Sequence, residues 1–321
     1  MRKTLISCLA IVGLGAGFGL AATAASAQTP AACANPDAIG LSRTVEIDTT
    51  GGPGFGLEHY KAHDFLQPGE IVLTFDDGPQ KFHTEHVLAA LANHCTKATF
   101  FSIGKMAMGM PEIIREVAKQ GHTVGTHTWS HADLSGVPHR GEKRAPLTDA
   151  EAIEEIEKGI SGVRKAVGAP ISPFFRYPML RDSKATLDHL AKRNVAVFSQ
   201  DVDSFDFKLR TSESLIKSVM DRLGKKGKGI VLLHDIQPNT GKSVPALLAA
   251  LKAGGYKVVH LKAKAPLNSL PQYDALMAAT SKGIEAGDGV ERATSSVVKT
   301  VDTGSTTPTA AAAAGPATKK K

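Results

Sequence analysis

"IVLTFDDGPQ", residues 71–80, runs a mostly apolar stretch into two adjacent carboxylates, Asp76 and Asp77, and then a Gly-Pro break. A short apolar run without polar alternation reads as a strand buried on both faces, the kind found in parallel sheets covered by helices. Strand alternation sends neighbouring side chains to opposite faces, so two adjacent aspartates should be kept apart. Gly78-Pro79 relieves this by ending the strand at the pair, which lets the chain turn so that both carboxylates reach one pocket. The same kind of run recurs along the chain. Candidate strands lie at 71–76, 97–103, 122–126, 173–177, 195–201, 229–234 and 256–261. Between them are helical segments such as "TDAEAIEEIEKGISGVRKAVG" (148–168) and "SESLIKSVMDRLGKKG" (212–227), several ending in Gly or Asn as helix C-termini do. Seven strands alternating with helices predict an α/β fold with a parallel sheet, open or closed into a barrel.

In such folds functional groups gather at the C-terminal ends of the strands. Five of the seven predicted strands run into chemistry: Asp76-Asp77, "HTWSH" (127–131), "FRYP" (175–178), "DVDSFDF" (201–207) and "LHD" (233–235). A spacing of four residues puts His127 and His131 on one face if they occupy a helical turn, as in other His-x-x-x-His metal elements. Two neutral imidazoles and a carboxylate make a divalent-metal site, for which zinc is the default ion. With twelve histidines in the chain, one such spacing alone would favour two surface or core histidines. The strand-terminal Asp pair and a further strand-terminal histidine, His234, favour ligands. Trp129, between the two histidines, fits either stacking on a sugar or packing the turn against the barrel. His122, His260 and seven other histidines have no motif context and are read as structural or exposed.

Composition sets the bounds. The chain has 321 residues, 42% hydrophobic and 21% charged, ordinary values for a protein with a substantial core. Of the net charge of +7, Arg2 and Lys3 carry +2 and residues 262–321 carry +3, leaving about +2 for residues 28–261. A nearly neutral centre lacks the basic stripe of a nucleic-acid binder. Residues 1–27 read as a signal peptide: two basic residues, an apolar stretch, then Ala25-Ser26-Ala27 as a cleavage site. A membrane anchor is the alternative reading, disfavoured by the Gly and Ala content and the cleavage site. The expectation is a secreted protein, periplasmic or extracellular, without a stable membrane span once the signal is removed, and monomeric. Loss of the signal leaves Cys33 and Cys95 as the one intramolecular pair, predicting a disulfide between an N-terminal arm (28–69) and the first helix, with two buried thiols as the alternative. Residues 262–321 are low in aromatics and periodicity and read as a flexible tail. The polar stretch 132–147 follows the histidine pair, and His139, Arg140, Lys143 and Arg144 within it fit either an anionic glycan or a solvated loop.

"TFDDGP", "HTWSH", "RYP", "DSFDF" and "LLHD", in this order, resemble the five motifs of the polysaccharide deacetylases, the NodB-homology domain of carbohydrate esterase family four. The resemblance covers about residues 70–261. It implies a distorted seven-stranded (β/α) barrel and metal-dependent removal of acetyl groups, usually N-acetyl, from a sugar polymer or oligomer such as peptidoglycan or a chitin-like chain. Carried over by motif, it makes Asp77, His127 and His131 the ligands of a zinc ion, with cobalt or manganese as substitutes. It makes Asp76 the general base and His234 the general acid. Arg176 resembles the residue that orients the base, and Asp206 the one that pairs with the acid histidine. Met179 stands where a backbone N–H faces the oxyanion, although an aromatic is common there, and Phe207 replaces the usual Trp. Both departures predict an altered fit for the acyl group or sugar with the chemistry intact. A catalytically silent glycan-binding protein on the same scaffold, or a hydrolase of a non-sugar amide, are the other classes the scaffold allows. A silent relative is expected to lack one of Asp76, Asp77, His127, His131 or His234, and this chain has all five.

Overall fold

The computed structural model describes residues 33–138 and 145–286. The strands are β1 (Arg43–Ile47), β2 (Gly54–Phe55), β3 (Glu70–Asp76), β4 (Thr99–Ser102), β5 (Thr123–Thr126), β6 (Phe174–Phe175), β7 (Ala196–Phe198), β8 (Val202–Asp203), β9 (Gly229–His234) and β10 (Lys257–Ala263). The helices are α1 (His83–Asn93), α2 (Gly104–Gly109), α3 (Pro111–Lys119), α4 (Asp149–Val167), α5 (Lys184–Lys192), α6 (Ser212–Lys226), α7 (Pro238–Ala253) and α8 (Pro271–Ala286). The expected signal peptide and the basic residues His139, Arg140, Lys143 and Arg144 lie outside the described residues, as does the chain beyond 286.

Every ladder between these strands is parallel. Pairing runs β9–β3–β4–β5–β6–β7, and β8 returns to β9. β7 and β8 are two halves of one strand, interrupted at Ser199–Asp201; the first half pairs with β6 and the second with β9, which closes the ring. β10, the seventh strand, joins this ring only at the first two residues of β3, so the seven-stranded barrel is distorted. The predicted strand 195–201 thus ends at Phe198, because the chain must bend to serve two neighbours.

Two further expectations need correction. The arm before residue 70 contributes strands, with β1 on β10 and β2 on β7. The five residues of β1 and two of β2 are too short for a periodic signal. The predicted flexible tail from 262 is structured as far as 286: β10 ends at Ala263, and α8 follows. Leu267 and Met277 bury their side chains at 3% and 1% exposure, too sparsely for a legible apolar stripe. Asp274 of α8 accepts hydrogen bonds from Ser161 of α4 and from Ser269. Cys33 and Cys95 form a disulfide with Cα atoms 5.9 Å apart, joining the arm to the end of α1.

Strand alternation builds two layers. Ile71, Leu73 and Phe75 of β3 face the helices, while Val72 joins Phe101, Phe174, Phe198 and Ile230 in the barrel interior. Burying each of these large side chains is worth about 1.5–3 kcal/mol. Thr74 and Asp76 share the parity of Val72 and therefore point inward. The barrel is apolar in its lower half and polar at the C-terminal ends of its strands, where the site lies.

Candidate active site

Asp76 closes β3 and is 2% exposed. On the same inner parity at the end of β6, Arg176 is fully buried and places its guanidinium 4.3 Å above the Phe101 ring. Its Nη1 donates to Asp76 Oδ1 at 2.8 Å and to Thr74 Oγ1 at 2.7 Å; Nε and Nη2 donate to the carbonyls of Phe198 and Ser199. A buried cation is tolerable only when its donors are satisfied and an anion is paired with it. Here the break between β7 and β8 supplies one of the two carbonyls that complete the set.

Asp77 takes a left-handed backbone conformation (φ 76°) that swings its carboxylate out of the strand, while its N–H remains tied to the carbonyl of Phe101. His127 follows β5, and its Nδ1–H donates to the carbonyl of Arg176 at 2.7 Å. That bond sets the tautomer and leaves the Nε2 lone pair facing Asp77 Oδ1, 3.4 Å away. His131 Nε2 lies 3.4 Å from the same oxygen. The two rings are 5.0 Å apart, yet residues 127–131 form no helical turn. Left-handed residues Thr128 (φ 64°) and His131 (φ 62°) fold the segment back, so the expected helical face is replaced by a tight loop. The loop is pinned beneath: Trp129 carbonyl accepts from Lys105 N–H, Ser130 bonds Glu155, and the indole lies against Gly104 and Gly162, where a Cβ would collide with it. Trp129 packs the turn.

Asp77, His127 and His131 bring three ligand atoms within 4.8 Å of one another. Asp77 Oδ1 is buried and accepts no hydrogen bond. Its 3.4 Å separations from two imidazole nitrogens are too long for hydrogen bonding, and match the edge of about 3.4 Å in a tetrahedral set bound at about 2.0–2.1 Å. The donors thus fit a divalent cation of the zinc type. Burial alone would raise the Asp77 pKa, but the surrounding histidines hold it below the usual carboxylate range.

On the neighbouring strand His234 ends β9, in register with Asp76. Asp206 accepts from His234 Nδ1–H and from its backbone N–H, each at 2.7 Å, and from Thr240 Oγ1 at 2.6 Å. Burial would lower the His234 pKa, but Asp206 outweighs it and lifts the imidazolium to about 10. The Phe207 ring stands edge-on to His234 at 5.7 Å and is 42% exposed at the rim. Met179 sits in the turn after β6 with φ 54°, beside Leu180 at 56°. Arg181 donates from that turn to Ser135 and to the carbonyl of Val137, joining it to the loop after His131. Thr74, Thr240 and the carbonyl of Ser199 carry no signature readable in sequence; their part is visible only through the side chains they meet.

Residues 66–198 match the family model for polysaccharide deacetylases. The chain is 31% identical over 202 residues to a chitooligosaccharide deacetylase of Bradyrhizobium sp. (strain ANU 289), covering 59% of this chain and 87% of that protein. It is 31% identical over 192 residues to a peptidoglycan-N-acetylglucosamine deacetylase of Listeria monocytogenes, covering 59% of this chain but only 37% of that longer protein. Among solved structures it is similar to a Bdellovibrio bacteriovorus peptidoglycan deacetylase, with a TM-score of 0.61 and 31% identity, over 70% of this chain and 59% of that one.

Proposed function

The chain belongs to the polysaccharide deacetylase family, and from that premise we propose that it is a secreted metal-dependent hydrolase that removes N-acetyl groups from a peptidoglycan or chitin-like glycan. The observation that carries this reading is the pairing of Arg176 with Asp76 at the end of β3 and of Asp206 with His234 at the end of the adjacent β9, beside Asp77, His127 and His131. Amide hydrolysis needs an activated water, a stabilised oxyanion and a proton for the departing amine. A divalent cation held by Asp77, His127 and His131, zinc by the preference of this donor set, supplies Lewis acidity toward water and the acetyl carbonyl.

The protein supplies the rest. Asp76, paired with the Arg176 guanidinium, takes the proton of the attacking water. The Met179 backbone N–H faces the developing oxyanion. His234, held protonated by Asp206, delivers its proton to the sugar nitrogen as the carbon–nitrogen bond breaks. Phe207 and Met179, both exposed at the rim, contact the sugar. The signal-like N-terminus favours a periplasmic or extracellular site of action, and no helix among the described residues is long and apolar enough to cross a membrane.

The decisive measurement is acetate release from N-acetylglucosamine oligomers and from peptidoglycan, with and without chelator. Release that is abolished by chelator and restored by zinc is expected. No acetate from any glycan, despite stoichiometric metal, would overturn the assignment.

A further inference from the structure

Asp235 follows the acid histidine, is 1% exposed, and is given no part in the chemistry above. It stands one residue beyond the last rung of the β3–β9 ladder, the Asp76–His234 pair. Past that rung the two chains part: β3 turns at Gly78-Pro79 and β9 leads into α7. On the β4 side the turn is held by backbone bonds, from Asp77 N–H to the Phe101 carbonyl and from Ile103 N–H to the Gly78 carbonyl. On the β9 side the Asp235 carboxylate takes over. Its Oδ1 accepts from Gly78 N–H at 3.1 Å, and its Oδ2 accepts from Thr84 Oγ1 at 2.6 Å. Thr84 Oγ1 in turn accepts from Gln80 N–H at 2.8 Å, so on the β9 side Gly78, Gln80 and Thr84 are joined through one carboxylate.

Two further observations favour a built-in purpose. A Cβ on Gly78 would collide with the Asp235 carboxylate, and Gly78 does not have positive φ, so glycine serves close approach here. The bonds given to the carboxylate come from neutral donors, and burial pushes its pKa up to about 7. A buried acid without a cation is costly to stability, so packing alone does not account for it.

We infer that Asp235 is a positioning residue that ties the turn bearing Asp76 and Asp77 to the strand bearing His234, and so sets the spacing of the metal ligand and base against the acid. Its part in turnover rests on the deacetylase reading; its part in metal binding does not.

The test measures zinc affinity by competition with a chromophoric chelator, together with kcat and KM for acetate release, on the full chain. Asp235→Ala is expected to weaken zinc binding about 10–100-fold and to lower kcat by a similar factor at unchanged KM. Asp235→Asn keeps the shape and an acceptor for Gly78 N–H, and is expected to stay within about threefold of wild type in both. Wild-type zinc affinity and kcat in Asp235→Ala would overturn the inference. So would an Asn variant as impaired as the Ala variant, since charge rather than reach would then be the cause. Should the Ala variant not fold, Thr84→Val cuts the tether at its other end: a loss of zinc affinity of about threefold or more supports it, and unchanged affinity overturns it. Zinc affinity is read whether or not a glycan is turned over, so a failure of the deacetylase reading is distinguishable from a failure of the tether.

Discussion

His234, at the C-terminal end of β9, and His122, at the entry to β5, are both largely enclosed, yet they are driven to opposite protonation states. Asp206 lifts His234 to about 10 against the effect of burial. Burial, with Lys97 and His260 beside it, lowers His122 to about 3. His260, bonded to Thr123 and next to Lys262 and Lys97, is lowered to about 4 in the same way. Burial disfavours charge in all three cases; carboxylates, Asp206 above all, outweigh it at His234, while neighbouring basic groups add to it at His122 and His260. The lower end of the barrel uses neutral histidines as packing; the upper end holds a charged one, the proposed proton donor. Left-handed backbone occurs at both ends, with Cys95 (φ 48°) and Asn194 (φ 53°) at the lower one. Asp77, Thr128, His131, Met179, Leu180 and Phe205 all take left-handed conformations at the upper end, where strain is tolerated to aim side chains.

The largest effect expected silences the upper end and leaves the lower one intact. Asp76→Asn should reduce kcat by about 10²–10⁴-fold while zinc stays bound, whereas His127→Ala should lose zinc as well. Activity near wild type in Asp76→Asn would remove the base from Asp76. Removing the disulfide does the converse. Cys33→Ser with Cys95→Ser should cost about 2–4 kcal/mol in chemical denaturation at unaltered kcat, because a 62-residue loop regains its unfolded freedom. A large fall in kcat would show that the arm reaches the site.

Asp206→Asn should make His234 behave like His122. The group loses its ionic partner, its pKa falls, and the alkaline limb of kcat/KM should move to lower pH with a loss of about tenfold or more at neutral pH. An unmoved limb would mean that His234 is not the group titrating there. The smallest effect concerns stability. His234, raised when folded, contributes stability below about pH 6.5 that is lost as pH rises toward about 10. His122, lowered when folded, contributes the opposite slope, with stability lost as pH falls below about 6.5 toward about 3. His122→Asn should therefore make the loss between pH 7 and pH 5 shallower by about 2 kcal/mol in denaturant unfolding. An unchanged slope would mean that His122 is not the neutral histidine this comparison requires.

Much of this arrangement was legible in the chain. The strand at Glu70–Asp76 was marked by its mostly apolar run, and α4 by the Gly168 that ends it. The candidate site residues were legible because they lie at or shortly beyond the ends of strands. What escaped notice had no local signal. β1 and β2 owe their pairing to β10 and β7, and α8 owes its place to Leu267, Met277 and the bonds of Asp274. The helical reading of 127–131 failed because spacing reports distance along the chain, and the loop reaches the same separation by left-handed residues buttressed from α2 and α4.

By itself the sequence determined the alternation of strands and helices, the strand ends at which chemistry collects, and the kinds of donor present, since periodicity and residue type are local properties. Only the tertiary structure decided which atoms meet. Arg176 reaches Asp76 because the two share an inward parity on β3 and β6, strands joined through β4 and β5. His127 presents Nε2 because the Arg176 carbonyl occupies Nδ1. His234 is held charged and His122 neutral because Asp206 is folded against one and not the other. Ionisation and tautomer depend on burial and on the partner across the contact, and both come into existence only when distant parts of the chain are brought together.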